Sequence, residues 1–107
     1  MFQTLEVSLD LVRSLRRPVE RLRGRDRGLS DQIRRAASSV SLNLAEGRRR
    51  SGADRLHHWR IAAGSAEEVR IALRVALAWG DLQSAEVSEA LQFLDRLLAM
   101  AWRLTHP

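Results

Sequence analysis

The residues with the greatest chemical capacity in this 107-residue chain are its cations, and all 18 of them are arginine; there is no lysine. A guanidinium is planar, permanently charged and pairs with two oxygens of a phosphate or carboxylate at once, a preference that suits nucleic acid. A GC-rich coding sequence would enrich arginine equally well. Five arginines cluster along one segment: Arg34 and Arg35, then the run Arg48, Arg49 and Arg50. Two readings fit this cluster, phosphate contacts or a solvated basic face. Residues 1–60 hold 14 arginines and 7 acids, whereas residues 61–107 hold 4 and 6, so a net charge of +5 conceals halves of +7 and −2. The basic character is therefore local, as a nucleic-acid footprint requires. Few aromatic residues flank these arginines in sequence, which points to recognition of backbone charge and shape rather than base stacking.

Catalytic arrangements find little support. Without cysteine the chain has no disulfide, thiol nucleophile or cysteine zinc site. His57 and His58 are adjacent, so on a helix they point about 100° apart and cannot form an i, i+4 metal pair. Glu67 and Glu68 are sequential rather than facing. Gly24 and Gly28 lack the spacing of a phosphate-binding loop, and no strand–turn–helix elbow exists to hold a nucleophilic serine. We expect no enzyme activity, no metal and no cofactor. No apolar run approaches the roughly 18–20 residues of a membrane span. The opening Met1-Phe2-Gln3-Thr4-Leu5-Glu6 lacks the basic and apolar regions of a signal peptide, so a cytoplasmic location is expected.

The elements that must position these groups are helices, because apolar residues recur at steps of three and four throughout. A first helix carries Leu5, Leu9, Val12, Leu15, Val19 and Leu22, with a kink expected at Pro18. Arg23–Gly28 reads as a loop. A second helix, capped at Ser30-Asp31, carries Leu29, Ile33, Ala36, Val40 and Leu44 and stops at Gly47. Ser51 and Asp54 resemble a capping box that opens a long third helix, ended near Trp79 by Gly80. Ser84 is the expected cap of a fourth, with Val87, Leu91, Leu94, Leu98 and Ala101 on one face. Four amphipathic helices with short connections predict a single all-α domain over residues 1–107, an antiparallel up-and-down four-helix bundle.

Two helices carry more than a core stripe. Beside the stripe of the second runs a polar line, Gln32, Ser39, Asn43 and Glu46. Asn43 lies at the apolar margin, so it should be half-buried and bonded. The line is either a network that fixes helix register or a ligand contact. Arg35 lies beside it, placed to meet Glu46 from a neighbouring helix or chain, and Leu42 faces outward. On the third helix, Leu56, Trp59, Ala62, Ala66, Val69, Leu73 and Leu77 face inward, while Ile71, Val75, Ala78 and Trp79 form a second apolar face. That is more apolar surface than one small bundle buries, and it predicts self-association through Ile71, Val75 and Trp79 unless the end of the first helix covers them. Gly64, in mid-helix, predicts a close helix approach.

The segment Leu29-x-x-Gln32-Ile33-Arg34-Arg35-Ala36-Ala37-x-Ser39-Val40-x-x-Asn43-Leu44-Ala45-Glu46-Gly47 resembles the signature of the bacterial four-helix-bundle proteins encoded in 23S rRNA intervening sequences. Arg60-Ile61-Ala62-Ala63-Gly64-Ser65-Ala66-Glu67-Glu68-Val69, the opening Phe2-x-x-Leu5-Glu6-Val7 and the turn Gly80-Asp81-Leu82 extend the likeness over nearly the whole chain. Ser41 stands where that family usually has proline, and Pro18 falls where it usually has none. The resemblance implies a small bundle assembling as a ring-like homopentamer. It also implies kinship with the accessory variability determinant of diversity-generating retroelements, which binds nucleic acid and a reverse transcriptase. The expectation is a homo-oligomer that binds RNA through Arg34, Arg35, Arg48, Arg49 and Arg50; the alternative is an adaptor ring for a protein such as a reverse transcriptase.

Overall fold

The computed structural model describes residues 1–107 as four α-helices, α1 (Gln3–Arg23), α2 (Arg27–Arg48), α3 (Gly52–Trp79) and α4 (Ser84–Thr105). The chain is 87% helical and has no strand. Each helix packs on its neighbours in sequence, and α1 also packs on α4, which closes an up-and-down four-helix bundle with a long dimension of 42 Å. No helix is long and apolar enough to cross a membrane.

The core is built from Leu11, Leu22, Ile33, Leu44, Leu73, Leu94 and Leu97, all fully buried. Alanines at 62, 66, 72 and 76 face inward from α3; with so little side chain between them, the helices can approach closely. Apolar periodicity located the inner faces with an offset on two helices. On α1 the buried centre is Val7, Leu11 and Leu15, with Leu5, Leu9 and Val12 on its flank; on α4, Ala90 and Leu97 are buried where Leu91 and Leu98 are partly exposed. Each helix of a bundle touches two neighbours, so its apolar arc is wide and spacing alone does not mark the middle.

The helix ends depart most from the sequence reading. The loop at Arg23–Gly28 is shorter than expected, because α2 begins at Arg27 and its cap is Asp26, whose carboxylate accepts the Leu29 N–H at 3.0 Å. Ser30 is instead buried inside α2 and donates to the Val19 carbonyl of α1 at 2.7 Å. Ser51 occupies the cap of α3 without a capping bond, since Asp54 turns back to Arg50. The cap of α4 is Gln83, whose N–H donates to Glu86 at 2.8 Å, and Ser84 is already helical. α1 runs unbroken through Pro18, whose ring is buried. Ser41, the departure from the family pattern, lies 2.8 Å from the buried Ser8 hydroxyl, which itself donates to the Leu5 carbonyl; Ser41 therefore donates to Ser8 and ties α2 to α1.

Two glycines end or cross helices for different reasons. Gly80 has φ 77°, the left-handed conformation that ends α3. Gly47 has no such φ and does not stop α2, which continues through Arg48. It is required by packing: a Cβ there would lie 2.5 Å from Cδ1 of Trp59. That ring is fixed by its indole N–H, which donates to the Leu44 carbonyl at 3.2 Å.

Candidate nucleic-acid interface

The five arginines of the sequence motif separate into two groups. Fourteen residues of α-helix rise about 20 Å, so Arg34–Arg35 and Arg48–Arg50 cannot form one patch. Arg34 and Arg35 are exposed on the middle of α2, make no ion pair, and flank a shallow depression with Ser38, Ser39, Leu42 and Asn43. Arg35 does not reach Glu46 within the subunit.

At the end of α2 the three consecutive arginines differ. Arg50 is clamped between Glu46 (2.8 Å) and Asp54 (2.7 Å), which joins the last turn of α2 to the first turn of α3. The Arg50 hydrogen bond, reinforced by the charges of Arg50 and Arg49, holds the Glu46 carboxyl below its ordinary range, and both acids in turn hold Arg50 charged. Arg49 reaches Glu46 only at 3.5 Å. Arg48 has no acid; its guanidinium rests 4.9 Å from the Phe2 ring centre.

Phe2 in turn lies 5.8 Å from Trp59, and the Arg55 guanidinium lies 5.3 Å from the Trp59 ring centre. Arg55 also donates to the carbonyls of Gly47 and Arg48, both at 3.0 Å, and so closes the end of α2. Two aromatic rings, Phe2 and Trp59, therefore lie in series between two arginines, Arg48 and Arg55. The sequence reading, which found little aromatic material near the arginines, missed this because the rings come from the residue that precedes α1 and from α3. The spacing of Arg55 and Trp59, four apart on one helix, was the available signal.

The polar line of α2 faces α3. Asn43 donates to the carbonyl and hydroxyl of Ser39 at 3.0 and 3.1 Å, which leaves its amide oxygen to accept Nδ1–H of His58 at 3.0 Å. Ser65 donates to Ser39 at 2.9 Å. Gln32 approaches Glu68 at 3.5 Å, the limit of a hydrogen bond. These partners lie in antiparallel register, and every buried side-chain polar atom is bonded. Asn43–His58 and Ser39–Ser65 thus tie α2 to α3 through side-chain bonds.

The second apolar face of α3 is uncovered. Ile71, Val75 and Trp79 are 48%, 37% and 75% exposed, so the end of α1 does not reach them. Ile61, Gly64, Glu68, Ile71, Val75 and Ala78 follow steps of three and four along this face. A Cβ at Gly64 would meet nothing within 4 Å, so no helix of the same subunit makes the close approach expected there.

No curated protein matches the chain. A crystal structure of a protein of unknown function from the S23 ribosomal protein family, from Bacteroides thetaiotaomicron, shares the fold with a TM-score of 0.84 at 18% identity, over 97% of this chain and 99% of that one. The family model for the 23S rRNA-intervening sequence protein matches residues 3–103, and the chain belongs to that family.

Proposed function

We propose that this protein is a non-enzymatic, homo-oligomeric RNA-binding protein whose unpaired arginines contact phosphates. The observation that carries the reading is the state of those arginines: Arg34, Arg35 and Arg48 have no acidic partner, and Arg49 has only a long one. Arg50 belongs to the clamp between α2 and α3, so its contribution is to the shape of the site.

Self-association is supported by α3. A glycine on an open helix face costs up to about 1 kcal/mol relative to alanine and gains no contact within the subunit. A second copy seated along Ile61, Gly64, Ile71 and Val75 would use the space. A pentamer is the state that the resemblance implies, and repetition of the arginines around it would raise avidity.

Binding of rRNA fragments across a salt series tests the reading. Affinity should fall steeply with salt, and replacing Arg34, Arg35, Arg48 and Arg49 with glutamine should weaken binding and flatten the slope. Undetectable binding at low salt, or purification with a protein partner and no nucleic acid, overturns it and favours an adaptor such as an accessory subunit of a reverse transcriptase. Light scattering that shows only monomer at micromolar concentration overturns the oligomer.

A further inference from the structure

The end of the bundle where α2 turns into α3 also receives the last turn of α4, because the helices run up and down. That turn brings an aromatic platform. Trp102 is 60% exposed, and the His106 ring lies flat against it, 4.3 Å between centroids and 11° from parallel. The stack is held in place. A carbonyl oxygen only accepts, so His106 Nδ1–H donates to the Trp102 carbonyl at 2.9 Å. Thr105, 3.1 Å from the same nitrogen, is itself anchored to the Ala101 carbonyl at 2.9 Å. With imidazole stacked on it and more than half of the residue still exposed, the indole presents aromatic surface to solvent.

The electrostatics of this end select the partner. Residues 1–5, 46–57 and 102–107 contain five arginines and two acids. A ring platform at an arginine-rich end of the bundle suits a ligand that is both flat and anionic. We propose that this end binds an unpaired nucleobase of a single-stranded nucleic acid, stacked on Trp102 and His106, with adjacent phosphates drawn to the arginines of the same end. Inside a duplex both faces of a base are occupied by its neighbours, so the platform discriminates for unpaired strands. The proposal rests on the nucleic-acid reading above and adds to it a base contact.

Fluorescence anisotropy with a short oligoadenylate RNA, the DNA of the same sequence and a blunt RNA duplex, all at one salt concentration, tests it. Trp102→Ala should weaken single-strand binding about 5- to 150-fold, the loss of one base–aromatic stack, and leave duplex binding unchanged. Trp102→Phe, which keeps a ring, should retain most of the affinity. A loss confined to RNA or to DNA supports the stack and identifies the strand it serves. If Trp102→Ala binds single strands as the wild type does, or loses single strand and duplex equally, the stack is wrong while the charge reading stands. If the wild type binds none of the three at low salt, both fall together.

Discussion

The two ends of the bundle are made of the same materials and differ in the balance of their charges. The end formed by residues 20–31 and 77–87 contains four arginines and five acids, though Arg23 and Arg27 form no ion pair. Arg21 pairs with Glu86 across the bundle at 2.7 Å, and Arg25 donates to the Asp81 carbonyl at 2.7 Å. At the opposite end, five arginines meet two acids, and both of those acids are used on Arg50. An up-and-down chain brings the acidic second half onto the arginines of the first half at one end only. Charge counted along the chain is therefore a poor guide to charge in space: Arg21, Arg23, Arg25 and Arg27 helped to make the first half basic, yet they sit where the net charge is slightly negative.

The glycines of the two ends offer the sharpest way to break this comparison. Gly47→Ala should cost about 2 kcal/mol in urea unfolding, because the added methyl overpacks against the bonded Trp59 ring and a helix-favouring residue cannot offset the clash. A stability equal to wild type would show that Trp59 moves freely, and that the arginine–aromatic array is not rigid. In RNA binding, Arg48→Gln with Arg49→Gln should flatten the logarithmic salt dependence by about two units, whereas Arg23→Gln with Arg25→Gln should leave it unchanged. Equal effects from the two pairs would erase the distinction between the ends. Gly80→Ala should cost about 1 kcal/mol, since there the strain is a left-handed φ with open space around it. The smallest effect concerns acid. Glu46 has its carboxyl held low in the folded state, so its contribution is complete above the ordinary carboxylate range and is lost as pH falls through that lower value. Glu46→Gln should remove this part of the acid dependence in a pH series of thermal melts and leave the remainder intact.

Much of the fold was legible because helix formation is local. Steps of three and four among Ile33, Ala36, Val40 and Leu44, or Ala62, Ala66, Val69 and Leu73, are dictated by the helical repeat and need no partner to be read. Gly80 was read correctly for the same reason, since ending a helix is decided within a turn. The serines were misread because a hydroxyl has several local options of similar worth. Ser30 could cap its own helix or bond across to α1, and the Val19 carbonyl decided it. Asn43 was expected to be half-buried and bonded, and it is. Its partner His58 lies on the next helix at a distance no spacing rule specifies.

By itself the sequence determined the class, the helices and the two faces of α3, because apolar periodicity and backbone hydrogen bonding act over a few residues. It also determined that the cations would all be guanidinium groups. Tertiary structure alone decided which of those groups are free. Whether an arginine meets an acid, a ring or water depends on helices distant in sequence, and that choice separates Arg48 from Arg50 though they are two residues apart. The same assembly of distant turns set Phe2 and Trp59 between arginines and carried Trp102 and His106 to the arginine-rich end.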